Sequence, residues 1–455
     1  MNKPKTMFKR LLLALLLVCS FSYGQFTIKG ELQSAENYPW MIAYQLQGAK
    51  QNYIAYDSIK NGQFSIVIPE KYASGIYRLV YDIKNRLFID VIYNKEDISL
   101  TFDSRYPNKS IEFSVSDENK IYQNYLNGIT SPQQKLDSLQ TVYFNSSDEK
   151  QNKNIVESYQ KMYNTLTFFQ QEYEAKSSGK LANHFIKASA RYNVETPVKS
   201  PAKYLVAVKN HFFDNIDFNN KVLLNSTFIN DKINDFIFYL NTSDDKNMLT
   251  NLYKEAIATV ITKMKSNPTL SKDIQEGLLY TFAQQENISM VNKVLNHYLQ
   301  LPTELQDSSF VNDIKGQLKT AIGNIAPNIM WDEKGESKSL HMLSGSPYYL
   351  IIFWSSTCGH CLKELPLLKE YLKNRIGVEV LLVGLETEQS KVGWQSEIFN
   401  YSHWIHIYGK NKWKNNFVRD YGVNSTPSFF ILDAKKKIVA KPYDVEELKE
   451  YFEKK

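Results

Sequence analysis

The sequence predicts a multi-domain protein: a small all-β sandwich, then an all-α helical region, then an α/β domain. The first observation behind this is length, because 455 residues exceed what one hydrophobic core usually organises. The second is periodicity. Apolar residues alternate with polar ones to about residue 112, recur at helical spacing from 113 to 322, and fall into short apolar runs interleaved with helical patterns from 323 to 455. The third is composition, since 43% hydrophobic and 22% charged residues are proportions of globular domains.

Residues 1–24 form a separate segment. Lys3, Lys5, Lys9 and Arg10 precede an apolar run from Leu11 to Val18, and Ser22 and Gly24 put small residues just before Gln25, as a signal peptidase requires. This reads as a secretory signal peptide, too short to span a bilayer. The mature protein is therefore expected in the periplasm or cell envelope of a bacterium. Cys19 raises a rival, lipidation of a lipoprotein cysteine, although Val18 before it is bulkier than such signals usually carry. Membrane attachment is expected only if Cys19 is lipidated. The same segment supplies four of the positive charges behind the formal +6, so the rest of the chain is close to neutral and offers no basic surface for nucleic acid.

Cysteine usage narrows the chemistry. With Cys19 removed, Cys358 and Cys361 are the remaining two of three cysteines. One closely spaced pair in an exported protein is a redox dithiol, since it cannot staple a fold.

In residues 25–112, Trp40, Ile42, Tyr44 and Leu46 alternate, as do Phe64, Ile66 and Ile68 after the hairpin signal Asn61-Gly62. Further strands are predicted over residues 76–81, 88–93 and 98–102, a spacing that suits a small sandwich. The stretches Asn61-Gly62-Gln63-Phe64 and Gly75-Ile76-Tyr77 resemble the N-terminal β-domain that precedes thioredoxin-like domains in many exported bacterial proteins.

In residues 113–322, Ser131-Pro132-Gln133-Gln134 and Ser146-Ser147-Asp148-Glu149 read as capping boxes. Ile155, Tyr159, Met162, Tyr163, Leu166, Phe169 and Tyr173 then keep to one helical face, a stripe expected to be core. Prolines 197, 201, 268 and 302 punctuate the pattern, giving an expected seven to nine helices. The stretch His211-Phe212-Phe213-Asp214-Asn215-Ile216-Asp217-Phe218 resembles one found in the helical middle region of the same multi-domain bacterial proteins. Its acids and His211 invite a metal reading, but without a second histidine at ligand spacing a capped loop is expected.

The last domain reads as strands at 348–354, 378–385, 404–408, 428–433 and 437–440, with helices at 361–373 and 445–452. Ala326-Pro327, Phe353-Trp354, Cys358-x-x-Cys361-x-Lys363-Glu364-x-Pro366 and Thr426-Pro427 recur in an order that resembles the TlpA/ResA-like family of exported thiol-disulfide oxidoreductases. The resemblance spans about 130 residues and implies a thioredoxin-like fold and exchange of protein disulfides.

The residues agree with that implication. Cys358 falls at a helix N-terminus, where free N–H groups and the helix dipole favour an anion, so it is expected to be the attacking thiolate. His360, inside the pair, adds a positive or hydrogen-bonding neighbour, and Gly359-His360 is similar to the dipeptide of protein disulfide isomerase domains. Cys361, one turn in, resolves the mixed disulfide. Trp354 and Gly359 shape the surroundings. The resemblance places Glu364 where the family carries an acid that modulates proton transfer at Cys361. Ile352 stands where classical thioredoxins carry a buried aspartate, which shifts that role toward Glu364 or water. Pro427 is expected to follow a cis bond, exposing the backbone of Thr426 to a substrate segment.

Other uses of the cysteines fit less well. Haem attachment needs histidine after the second cysteine, where Leu362 stands, and structural zinc needs two more ligands. Peroxidase activity lacks its Pro-x-x-x-Thr approach. Copper transfer by the dithiol with His403 or His406 stays open, as does an envelope binding or assembly role in which the dithiol is auxiliary. No metal and no organic cofactor are expected beyond the redox-active pair, and the expected partners are protein thiols or disulfides together with a redox partner protein.

Overall fold

The computed structural model describes residues 25–373 and 375–454, so the expected signal peptide over residues 1–24, with Cys19, lies outside the described residues. The chain forms two compact units, one up to Asp273 and one from Ile274. β-Sheets come first, helices follow, and a thioredoxin-like α/β domain closes the chain. Among the described residues no helix is long and apolar enough to cross a membrane.

Two four-stranded sheets open the first unit. One has the order β4-β1-β7-β8 (β1 Phe26–Gln33, β4 Gln63–Ile68, β7 Ile98–Asp103, β8 Glu112–Val115). The other runs β3-β2-β5-β6 (β2 Trp40–Gln47, β3 Lys50–Ser58, β5 Gly75–Asp82, β6 Leu87–Tyr93). Ile28, Phe64, Ile66 and Leu100 meet Met41, Tyr77, Leu79 and Val91 in one core. The Asn61-Gly62 turn forms as its residues dictate: φ is 52° and 80°, and Lys60 and Gln63 exchange backbone hydrogen bonds of 2.9 and 3.0 Å.

The alternating set Trp40, Ile42, Tyr44 and Leu46 does not mark a single inward face of β2. Met41, Ala43 and Leu46 are buried, while Trp40 is exposed and meets Tyr56 edge-on at 5.5 Å. Every residue from Trp40 to Tyr44 is apolar, so alternation alone cannot choose a face, and a bulge between Ala43 and Tyr44 shifts the register before Leu46.

Between residues 117 and 319, ten α-helices occur among the described residues, against the expected seven to nine; Lys221–Leu224 is a single turn. The expected helix start at Ser131 is also corrected. Helix Asp117–Asn145 begins after Ser116, whose side chain accepts from Asn119 N–H at 3.2 Å, and runs on with Pro132 inside it. Its packing outweighs the hydrogen bond lost at Pro132. Tyr125 and Leu136 are buried, and Tyr125 OH donates to Gln170 Oε1 of helix Glu149–Lys176 at 2.8 Å. That second helix is capped by Asp148, which accepts from Gln151 N–H at 2.6 Å, so Ser146 is not its cap. Ile155, Tyr159 and Leu166 of the stripe are buried, as expected. His211 ends helix Pro201–His211, with Nδ1 2.6 Å from Asp214 Oδ2 and its ring stacked on Tyr192 at 4.2 Å, the expected capped loop.

In the second unit a five-stranded sheet has the order β13-β12-β11-β14-β15. After the hairpin β9 (Met330–Glu333) and β10 (Glu336–Ser339) come β11 (Tyr348–Trp354), β12 (Val378–Glu386), β13 (Ile405–Lys410), β14 (Ser428–Asp433) and β15 (Ile438–Ala440). β11 pairs parallel with β12 and antiparallel with β14. Its seven residues feed two cores: Tyr349, Ile351 and Phe353 point to one face, Leu350, Ile352 and Trp354 to the other. This explains its unbroken apolar run. The second face is covered by helices Cys361–Leu372 and Val445–Glu453 through Leu365, Leu368, Leu448 and Phe452.

Helix Ser308–Lys319 belongs to this unit and crosses helix Asn416–Tyr421 at a glycine. A Cβ on Gly316 would lie 2.4 Å from Arg419 O and 2.9 Å from Gly422 N. Gly316→Ala is therefore expected to destabilise the protein by about 1–3 kcal/mol, read as a lower denaturation midpoint. An unchanged midpoint would show that the helices part without cost.

Candidate active site

β11 ends at Trp354, and the turn Ser355–His360 delivers Cys358 to the start of helix Cys361–Leu372. Ser355 is buried, and its hydroxyl lies 3.0 Å from Thr357 Oγ1 while accepting from Thr357 N–H at 3.3 Å. Cys358 N–H donates to Ser355 O at 3.0 Å, and Leu362 N–H donates back to Cys358 O at 3.1 Å. The nucleophile candidate thus sits in the turn that opens the helix, among N–H groups with no partner in the helix ladder.

The two thiols differ sharply. Cys358 is half-buried, and its Sγ accepts from Cys361 N–H at 3.2 Å. In the thiol form Sγ also donates to Thr426 O at 3.3 Å. Burial alone would push the Cys358 thiol up, but hydrogen bonds from the Cys361 thiol, the Thr426 side chain and the N–H groups of Cys361 and His360 outweigh it and hold it below the usual thiol range. Cys361 is fully buried, and burial, with the hydrogen bond to Cys358 second, pushes its thiol up to about 12. One sulfur is poised to ionise and the other to stay protonated.

The remaining sequence candidates are placed as follows. Thr426 is half-buried and the Thr426-Pro427 bond is cis, which sets the Thr426 carbonyl against Cys358 Sγ. Gly359 and His360 are exposed; His360 acts on Cys358 through its backbone N–H, and its carbonyl accepts from Lys363 and Glu364 N–H at 3.0 Å. Trp354 is 0% exposed, so it is core beneath the dithiol. Glu364 is half-buried, and its Oε2 accepts from Val445 N–H at 2.9 Å, capping the closing helix. His406 Nε2 lies 2.9 Å from Tyr401 O, and its strand position pairs with Leu382, two rows before the Trp354–Gly384 pair that leads to the dithiol. Among the described residues no group of three or more His, Cys, Asp or Glu could hold a metal ion.

Two residues at this site escaped the sequence reading. Lys412, at φ 48°, donates from Nζ to Thr357 Oγ1 at 3.1 Å. Glu386 is 0% exposed and accepts from Ser356 N–H at 2.6 Å. The available signal for Glu386 was an acid closing the apolar run Val380–Leu385.

A five-stranded sheet with helices over both faces, a dithiol at a helix N-terminus and a cis-proline beside it define the class of a thioredoxin-like domain. Residues 346–438 match the thioredoxin-like family, so the chain carries that domain at its C-terminal end. Among solved structures the chain is similar to the thioredoxin domain of a thiol-disulfide oxidoreductase from Bacteroides vulgatus, at 29% identity over 30% of this chain and 96% of that one (TM-score 0.26). It is similar to a thiol:disulfide interchange protein from Bacteroides sp., at 30% identity over 30% and 90% (TM-score 0.26). A thioredoxin-like protein from Bacteroides caccae ATCC 43185 aligns over 58% of this chain and 97% of its own length at 18% identity (TM-score 0.40). No curated protein matches the chain.

Proposed function

We propose that the protein is an exported thiol-disulfide oxidoreductase of the TlpA/ResA-like kind, acting on protein disulfides in the bacterial periplasm or cell envelope. The observation that carries the chemistry is the split between the thiols: Cys358 is half-buried and held below the usual range, while Cys361 is fully buried and pushed up to about 12. The Cys358 thiolate attacks one sulfur of a substrate disulfide, forming the Cys358 mixed disulfide and expelling the other sulfur as a thiolate that takes up a proton. Cys361 then loses its proton and attacks Cys358 Sγ. The second substrate thiol leaves, and the Cys358–Cys361 disulfide carries the two electrons' worth of oxidation. The same steps in reverse oxidise a substrate dithiol, and a redox partner protein resets the pair. Thr426, half-buried with its carbonyl 3.3 Å from Cys358 Sγ, forms the substrate-facing wall beside Cys358, and Pro427 is buried behind it.

Lys363-Glu364-x-Pro366 and Ile352 support the TlpA/ResA-like assignment. Glu364 has its carboxylate on the closing helix, where it accepts from Val445 N–H at 2.9 Å. Export rests on the sequence of residues 1–24.

The reading is tested on the purified reduced protein with a fluorescent disulfide peptide. Rapid exchange is expected, together with alkylation of Cys358 at a pH where Cys361 stays unmodified, because the Cys358 thiol is held below the usual range and the Cys361 thiol is pushed up to about 12. A protein inert in both directions of exchange would overturn it.

A further inference from the structure

Glu386 is a buried acid that the exchange steps leave unused. It is the last residue of β12, and because Trp354 pairs with Gly384, β12 outlasts β11 by two residues and brings Glu386 level with Ser356. There Oε1 accepts from Ser356 N–H at 2.6 Å. Oε2 is buried without a hydrogen-bond partner among the described residues. A fully buried carboxylate with one bare oxygen is costly, so a fold that keeps it gains nothing from burial itself. What it touches is the backbone two residues before the nucleophile.

The charged and titratable groups around it are few. Lys410 is its register partner on β13, but the Lys410 ammonium is 3.2 Å from Glu388. Lys412 is bound to Thr357 Oγ1 at 3.1 Å, and Tyr408, with Lys391 5.1 Å over its ring, donates to Thr387 O at 3.4 Å. Cys358 follows Ser356 by two residues in the same turn. None of these cations is hydrogen-bonded to Glu386; its hydrogen bond is to the turn, through Ser356 N–H, and its charge also reaches the Tyr408 phenol.

We propose that Glu386 is a positioning residue of the dithiol: it holds the turn carrying Cys358 through Ser356 N–H, and its carboxylate charge opposes ionisation of Cys358, setting the pH at which that thiol becomes nucleophilic. The N–H groups of Cys361 and His360 draw the thiol toward ionisation, and Glu386 restrains it. This rests on Cys358 being the nucleophile proposed above, but its test does not need exchange activity.

The test is the pH profile of Cys358 alkylation in the reduced full-length protein. Glu386→Gln keeps an acceptor for Ser356 N–H and removes the charge, so the midpoint is expected to fall by about half a pH unit or more, and the reduction potential of the pair to become more oxidising. Glu386→Ala also releases the turn and is expected to slow alkylation at saturating pH. A profile in Glu386→Gln identical to wild type overturns the proposal, since a purely structural acceptor would behave that way. If Glu386→Gln does not fold, carboxyl ¹³C NMR of the wild type decides. The Glu386 resonance should move when Cys358 ionises, and a resonance indifferent to it overturns the proposal. Inactivity of the wild type toward disulfides would sink the proposed function and leave this measurement intact.

Discussion

Cys358→Ser is expected to abolish thiol-disulfide exchange, with a loss on the order of 10³-fold or more, because a serine hydroxyl neither ionises in the accessible pH range nor forms the mixed disulfide. Cys361→Ser is expected to behave differently. Cys358 would still accept from the residue 361 N–H and still attack, since that N–H belongs to the backbone and survives the change. The mixed disulfide would then accumulate, because the buried group that resolves it is gone. Mass spectrometry after mixing each variant with a disulfide peptide separates the two: a stable adduct for Cys361→Ser and none for Cys358→Ser. The opposite pattern would exchange the roles of the two sulfurs. The expectation rests on exposure and on hydrogen bonding together, for Cys361 at 0% exposure cannot be reached by a protein substrate before the turn opens.

The C-terminal domain was the most legible part of the sequence. Strands at 348–354 and 428–433 fall where the apolar runs place them, because strands buried on both faces leave a run that no other element explains at that length. Short helices such as Lys391–Ile398 and Asn416–Tyr421 were missed, since each buries only one or two side chains and leaves little periodic signal. Pro132 misled for the converse reason. A proline reads as a start by local chemistry, and only the buried Tyr125 and Leu136 of the same helix reveal that tertiary packing holds it mid-helix. At the site, the cysteines and Thr426-Pro427 were legible as a motif, whereas Glu386 and Lys412 reach the dithiol turn only through the pairing of β11, β12 and β13, which no local pattern encodes.

Trp354→Ala is expected to be the most destabilising single change at the base of the site. Trp354 is 0% exposed and shares one core with Cys361, Leu365, Leu368, Leu382 and Trp394. Emptying that volume should cost about 3–5 kcal/mol, seen as a lower denaturation midpoint at unchanged slope. Trp354→Phe separates shape from polarity. Trp354 Nε1 is buried without a hydrogen-bond partner among the described residues, so the native indole already bears an unpaired donor. Phenylalanine removes that donor, and the roughly 1–3 kcal/mol released offsets much of the smaller ring's lost contact. The expected order is therefore a large loss for alanine and a small one for phenylalanine. Equal losses would mean that the indole N–H is satisfied in solution. The alanine cavity also reaches the chemistry, because burial is the first cause holding the Cys361 thiol up at about 12. Water entering beneath it should bring that thiol back toward its ordinary range, and Cys361 should then become open to alkylation at a pH where the wild type protects it.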